Sequence, residues 1–255
     1  MLQIKTKITY NKKIKGSYFR IALKAPGIAV KALPGQFINI KVSDSCEPLL
    51  RRPFGVHRVK KDDIEALYEV VGPATQILSQ RKPGEYLDVI GPLGNGFTPV
   101  IKNKPLNILI AGGMGVAPLV FLAEKLKKSK NVVLIGAKTK EQIMCEKEFK
   151  DLGCEVKVAT DDGSTGFKGY VSGFLEEVLS GAHYPKSVVY ACGPRPMLKE
   201  ISRISKKYNI SAQVSLEEHM ACGVGACLGC VTNTRSGFKR VCKEGPVFNG
   251  DEIIW

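Results

Sequence analysis

The chain has 255 residues, and at roughly 150 residues per domain this length suggests about two domains. Apolar residues make up 44% and charged residues 24%, as in folded proteins, which excludes a disordered tail, a collagen-like chain and a small disulfide-stapled scaffold. Lys and Arg number 38 against 24 Asp and Glu, and this surplus of +14 suits an acidic partner surface, nucleic acid or plain solubility without choosing among them.

From Leu2 to about Val100 the pattern is short and alternating, as in half-buried strands. Ile4, Thr6, Ile8 and Tyr10 share one face, with Lys5 and Lys7 on the other. Phe37–Val42 and Tyr86–Ile90 repeat the pattern, and turn pairs such as Pro26-Gly27, Pro34-Gly35 and Pro83-Gly84 punctuate it. Several short strands separated this way predict a small antiparallel barrel. Met1–Tyr10 lacks the continuous apolar segment of a secretory signal, so a cytoplasmic chain with reduced cysteines is expected.

After Lys102-Asn103-Lys104-Pro105 the rhythm changes. Buried strands are expected at Leu106–Ala111, Asn131–Gly136, Val156–Thr160 and Ser187–Ala191, and helices at Val116–Lys128, Glu141–Leu152, Tyr170–Leu179 and Pro194–Lys207. Alternating strands and helices predict a doubly wound parallel sheet. Leu106–Ala123 carries no formal charge over 18 residues, but Gly112-Gly113-Met114-Gly115 and Pro118 interrupt it, so a strand, a turn and a helix explain it better than a membrane span. From Ser215 the chain is rich in glycine and cysteine. The roughly 40 residues left are too few for a comfortable core of their own, so another staple is required. The expected division is therefore a barrel domain at 1–101, an α/β domain at 102–212 and a small domain at 213–255.

The cysteines of this last segment follow Cys222-x4-Cys227-x2-Cys230-x11-Cys242. This is the plant-type 2Fe–2S spacing, C-x4-C-x2-C with a distant fourth cysteine. Gly223 and Gly225 allow a tight loop that turns its N–H groups inward toward sulfide. Structural zinc prefers two separate C-x2–4-C knuckles, and this segment offers one, at Cys227 and Cys230, with Cys242 standing alone. Cys46, Cys145 and Cys154 read as isolated small apolar residues, and Cys192 stands at a strand end.

Two further loops suit a nucleotide. Gly112, Gly113, Gly115, Ala117 and Pro118 lie between a strand and a helix, where backbone N–H groups cradle a diphosphate, although the spacing is not G-x-G-x-x-G and a tight turn without ligand is the alternative. Cys192, Gly193 and Pro194 close a later strand of the same sheet, where ligands of open α/β sheets bind. In the barrel, Arg51-Arg52-Pro53-Phe54 sets a guanidinium beside a rigid proline, suited to a diphosphate or equally to a surface basic pair. Lys138 and Asp161-Asp162 at other strand ends read as surface. His57, His183 and His219 share no metal or triad spacing and read as structural or surface residues.

Together these segments resemble the ferredoxin reductase superfamily, a flavin barrel followed by a pyridine-nucleotide domain. Arg52-Pro53-Phe54-Gly55 is similar to its flavin motif, Gly112–Pro118 to its nucleotide loop, and Cys192-Gly193-Pro194 to its turn near the nicotinamide. Leu216–Cys230 with Val241–Phe248 resembles, more specifically, the electron-transfer subunits of NAD-dependent (type B) dihydroorotate dehydrogenase. The resemblance implies FAD on Arg52, Pro53, Phe54, Gly55, Leu67, Tyr68, Glu69, Ala74 and Thr75, a 2Fe–2S cluster on Cys222, Cys227, Cys230 and Cys242, and NAD at the two loops. It also implies an FMN-containing catalytic partner, with two copies of each subunit, and a relay from that FMN through cluster and FAD to NAD⁺ in pyrimidine synthesis, with no catalytic acid or base here. Gly55 departs from the family's usual Ser or Thr, so a backbone N–H would replace a hydroxyl at the flavin. One alternative is a flavin and iron–sulfur NAD(P)H oxidoreductase subunit serving ferredoxin or a sulfur compound. Another is a basic zinc module on nucleic acid, but the lysines are scattered and no nucleic-acid motif appears; neither nucleic acid nor membrane is an expected partner.

Overall fold

The computed structural model describes residues 1–101, 105–180 and 187–255, so Lys102–Lys104 at the expected first junction, and His183, lie outside the described residues. Strands β1 (Leu2–Lys15), β2 (Tyr18–Lys24), β3 (Phe37–Lys41), β4 (Arg52–Lys60), β5 (Asp63–Glu69) and β6 (Tyr86–Leu93) close a barrel in the order β1-β2-β5-β4-β3-β6, every pair antiparallel. Helices α1 (Pro26–Ala29) and α2 (Pro73–Gln80) fill the longer connections. Alternation decides what points inward: Ile8, Ile38 and Ile40 join the barrel core, while Lys5 and Lys7 face solvent.

The second sheet contains β7 (Leu106–Gly112), β8 (Asn131–Ala137), β9 (Glu155–Thr160), β10 (Phe167–Lys168), β11 (Ser187–Cys192) and β12 (Ser211–Ser215), parallel throughout, in the order β10-β9-β8-β7-β11-β12. Its helices are α3 (Val116–Lys125), α4 (Glu146–Asp151), α5 (Val171–Ser180) and α6 (Arg195–Lys207). Along β7, Ile108 and Ile110 pack with α5 and α6, whereas Leu109 and Ala111 pack with α3 and α4. Both faces are covered, which is why the strand reads as an unbroken apolar run.

Two helices are shorter than expected. α3 stops at Lys125 because the chain turns there, and the Asn131 side chain donates to the Leu126 carbonyl at 3.0 Å. The expected helix over 141–152 is reduced to a 3-10 turn at Lys140–Gln142 and α4, because Cys145 takes a left-handed conformation with φ 61° and restarts the chain.

The cysteine-rich segment forms a hairpin, β13 (Val231–Thr234) with β14 (Gly237–Arg240), and a last strand, β15 (Val247–Asn249). β15 adds antiparallel to the edge strand β12, and β12 itself runs across the expected boundary at 212/213. Cys230, Val241, Cys242, Phe248 and Ile253 share one apolar core with Val214, Leu198 and the barrel residues Phe37 and Leu93. Among the described residues no helix is long and apolar enough to cross a membrane.

Barrel and sheet are also joined by charge. Glu148 of α4 accepts from Arg20 and from His57 Nε2 at 3.2 Å and forms an ion pair with Arg58 at 3.3 Å, while Arg58 also meets Glu124 of α3 at 2.6 Å. Burial pushes the Glu148 carboxyl up, but His57 and then Arg20 outweigh it and bring it down to about 2. A carboxyl lowered on folding stabilises the fold above its unfolded value of about 4.3, and that contribution is lost as pH falls toward 2. Glu148→Gln is expected to cost about 3 kcal/mol at neutral pH in urea unfolding. It should also flatten the decline of stability between about pH 4.5 and 2; an unchanged acid profile would show that Glu148 is not the group responsible.

Candidate redox and nucleotide site

The cysteine loop is built around its sulfurs. Val224 N and Ala226 N donate to Cys222 Sγ at 3.5 and 3.3 Å, Gly229 N to Cys227 Sγ at 3.5 Å, and Cys242 N to Cys230 Sγ at 3.4 Å. Arg240 ties the loop from outside, donating to the Gly225 carbonyl at 2.8 Å while pairing with Glu244. The four thiols interact with one another, Cys222 with Cys227, and Cys242 with Cys230 and then Cys222. Burial pushes Cys222 up, but the N–H groups of Val224, Cys227 and Ala226 bring it down to about 6; burial and the neighbouring Cys230 push Cys242 up to about 12. Four thiols fringed by N–H donors fit a two-iron centre, in which each iron takes two thiolates and the hydrogen bonds tune its potential. Cys230 and Cys242 are buried, whereas Ala226–Gly229, including Cys227, is exposed. The centre would be anchored on one side and open on the other.

The two glycine-rich loops lie side by side. β7 is the strand from which the sheet proceeds in both directions, toward β8 on one side and β11 on the other, so the ends of β7 and β11 flank the topological switch point. Here the backbones touch: a Cβ on Gly115 would stand 2.0 Å from the Cys192 carbonyl oxygen. Gly115 is thus a packing requirement. Gly113, by contrast, has φ 53° and open space where a Cβ would stand, leaving its backbone accessible to a ligand. Pro194 is exposed and Gly193 buried at the start of α6, and burial pushes the Cys192 thiol up to about 12, so it remains neutral. Ala117 and Pro118 are buried in the first turn of α3.

The arginine pair divides its work. Arg51 is held by Asp88, at 3.0 Å to the carboxylate and 2.9 Å to the carbonyl. Arg52 has no carboxylate partner among the described residues; its guanidinium donates to the Leu50 and Arg51 carbonyls at 2.7 and 3.2 Å. It is the one suited to an anion. Phe54 packs edge-on against Tyr68 with centroids 5.6 Å apart, and Ala74 is buried in the same barrel core, whereas Leu67 is buried on the opposite side of its strand, in the core it shares with Leu109 and Ala117. The Tyr68 hydroxyl donates to Asn11 at 3.0 Å, and Glu69 accepts from Ser17 at 3.0 Å. Thr75 Oγ1 accepts from Val71 N and Gly72 N and donates to the Gly72 carbonyl, so its hydroxyl is used in capping α2. Gly55 faces Pro118: a Cβ there would lie 3.7 Å from the proline ring, so the flavin-type motif and the nucleotide-type loop are neighbours.

Cys145 and His57 are not isolated, contrary to the sequence reading of the cysteine. Ligand atoms of His57, Cys145 and Glu148 lie within 4.8 Å of one another. This is an ion cluster rather than a metal site, because Arg20 and Arg58 occupy Glu148 and His57 Nδ1 lies 3.0 Å from the Ala117 carbonyl. No local spacing announces it; residues 57, 145 and 148 meet only through the domain packing. Cys46, Lys138, Asp161, Asp162 and His219 are exposed, and Cys154 is buried.

Residues 217–254 match the family described as the iron–sulfur cluster binding domain of dihydroorotate dehydrogenase B, and residues 109–203 the oxidoreductase NAD-binding domain. The chain is 42% identical to the dihydroorotate dehydrogenase B (NAD(+)) electron transfer subunit of Desulforamulus reducens, over 91% of the chain and 90% of that protein. It is 40% identical to the subunit of the same name from Caldanaerobacter subterraneus subsp. tengcongensis, over 99% of both. A chain of the NADH-dependent reduced ferredoxin–NADP oxidoreductase structure superposes with a TM-score of 0.86 at 31% identity, covering 98% of this chain and 90% of that one. A ferredoxin NADP⁺ reductase from Neisseria gonorrhoeae with bound FAD and NADP shares the fold, with a TM-score of 0.70 at 14% identity over 81% and 91% of the two chains.

Replacing Cys242 by Ala should remove iron and sulfide and leave 216–255 sensitive to protease, because that segment has little core without its metal. Full iron content in Cys242→Ala would refute the ligand assignment. Arg52→Ala should weaken FAD about tenfold, as expected for loss of one charge-assisted contact of about 1.5 kcal/mol, with iron retained. Arg51→Ala should instead lower stability, and equal FAD affinity across wild type and Arg52→Ala would make Arg52 surface charge only.

Proposed function

The chain belongs to the family of electron-transfer subunits of NAD⁺-dependent dihydroorotate dehydrogenase B, and on that premise we propose how its residues divide the work. The unit 1–101 holds FAD, 102–212 holds NAD, and 213–255 holds the 2Fe–2S cluster on Cys222, Cys227, Cys230 and Cys242. When bound, the cluster supplies one-electron transfer and FAD converts it to the hydride chemistry of NAD⁺ in pyrimidine synthesis. The observation that carries this reading is adjacency: Gly55 of the flavin motif faces Pro118 of the nucleotide loop, while Asn39 of the neighbouring strand donates to the Cys222 carbonyl.

Arg52 holds the flavin diphosphate, Pro53 and Gly55 line the ring side of the same strand, and Phe54 backs them from the barrel core. Leu67, Tyr68 and Glu69 support it from β5. Ala74 and Thr75 contribute backbone N–H groups from the first turn of α2, since the Thr75 hydroxyl is already committed. Gly112, Gly113, Gly115, Ala117 and Pro118 receive the NAD diphosphate at the helix start. Cys192, Gly193 and Pro194 exclude water beside the nicotinamide. Gly55 offers a backbone N–H where a hydroxyl is absent. No residue of this chain is assigned a proton-transfer role, which leaves proton removal from dihydroorotate to an FMN-containing catalytic partner, in an assembly with two copies of each subunit. The exposed turn Ala226–Gly229 is the face open to that partner; Leu228 is 60% exposed at its tip, in a left-handed conformation with φ 59°.

The isolated subunit is expected to reduce artificial acceptors with NADH and to leave dihydroorotate untouched, and adding the FMN subunit should confer NAD⁺-dependent orotate formation. Turnover of dihydroorotate by the lone subunit would overturn the relay. Gly113→Asn keeps a residue that tolerates the left-handed backbone while filling the open space. Stopped-flow reduction of the bound flavin by NADH should slow about tenfold in this variant, a loss of about 1.4 kcal/mol of binding, with FAD and iron unchanged. An equal rate would move the nucleotide elsewhere.

A further inference from the structure

Asn39 is a buried amide where the strand pattern would accept an apolar residue. Its neighbours Ile38 and Ile40 point into the barrel core, so Asn39 points out of it, on the face it shares with Phe37. There it stands directly opposite Pro53, and Phe37 stands opposite Gly55, so the four share one face of the β3–β4 pair. Phe37 belongs to the core that holds Cys230 and Cys242.

The residue is 1% exposed, and its Nδ2 donates to the carbonyl oxygen of Cys222 at 3.3 Å. The loop comes so close that a Cβ on Gly223, which has φ 68°, would lie 2.5 Å from that nitrogen. Its Oδ1 is buried with no hydrogen-bond partner among the described residues. Leaving an acceptor unpaired in the interior costs about 1–3 kcal/mol, so packing alone does not account for the amide. The other arm of the cluster segment is gripped independently, by Asn95 N on the Gly245 carbonyl at 2.5 Å and Asn95 Nδ2 on the Glu244 carbonyl at 2.9 Å. The Cys242 arm therefore does not need Asn39 to dock.

We propose that Asn39 is a positioning residue for electron exchange between the flavin strand and the cluster. It fixes the Cys222 peptide against β3, giving a continuous bonded path from the β3–β4 ladder through its amide and the Cys222 backbone to that sulfur. By orienting the Cys222 carbonyl dipole it also sets the field at the cluster. This inference rests on the flavin and cluster assignments above and goes beyond them in naming what couples the two centres.

The test compares Asn39→Leu, similar in size and apolar, with Asn39→Asp, similar in size but without the donor, each in the subunit assembled with its catalytic partner. The readouts are FAD and iron content, melting temperature, the electron paramagnetic resonance spectrum and midpoint potential of the reduced cluster, and the rates of flavin and cluster reduction after mixing with NADH. Flavin reduction should keep its wild-type rate, whereas cluster reduction should slow at least tenfold with a shifted spectrum and potential. Selective loss of iron with FAD retained would also support the proposal. Wild-type spectrum, potential and cluster-reduction rate in both variants would overturn it. Joint loss of FAD and iron with a lowered melting temperature would overturn it too, by making Asn39 a merely structural residue. Absence of a cluster from the wild-type protein would instead refute the ligand assignment on which it stands.

Discussion

The cysteine-rich segment cannot bury a core of its own, and the rest of the architecture is organised around lending it one. A chain of about 40 residues buries too small a fraction of its surface to fold alone without a staple. It obtains support three ways: β15 extends the parallel sheet beside β12, Val241, Phe248 and Ile253 join the core built on Val214 and Leu198, and Asn39 and Asn95 of the barrel hold its two arms. The borrowing has a consequence for function. Whatever secures this segment also brings the Cys222 loop against the strand pair that carries Arg52–Gly55.

The same economy governs the nucleotide loops. Gly115 and Gly193 are required where two βα turns meet backbone to backbone, while Gly113 alone leaves its face open. A glycine cluster in the sequence thus contains two kinds of position with different physics, one packed against backbone within the protein and one with open space beside it. Close packing of the turns makes the site at the switch point rigid, and a rigid site loses little freedom when it binds.

The ion cluster of Arg20, His57, Arg58, Glu124 and Glu148 holds barrel and sheet together where α3 and α4 approach the barrel. Each of these ion pairs joins a barrel residue to a carboxylate on α3 or α4. Half-buried ion pairs of this kind add little net stability when formed, yet are costly to break on one side. The arrangement therefore resists wrong domain placements more than it strengthens the right one, and it keeps Gly55 and Pro118 in register.

Much of this was legible along the chain. Period-two alternation with turn pairs determined the barrel, continuous apolar runs between helical stretches determined the parallel sheet, and the C-x4-C-x2-C spacing singled out the iron–sulfur segment, because each signal lies within a few residues and reflects local geometry. What only the tertiary structure decided lies between distant residues. The restart of α4 at Cys145 answers to the packing of 57, 145 and 148, which local propensity does not contain. The commitment of Arg51 but not Arg52 depends on Asp88, 37 residues away, and Asn39 meets Cys222 across 183 residues. Strand addition by β15 likewise needs an edge that exists only once β12 is in place. Local signals specify elements and ligand sets, since their energies come from neighbours in sequence. Which side chain of a pair is left without a carboxylate partner, and which distant loops meet, follows from close approach in three dimensions.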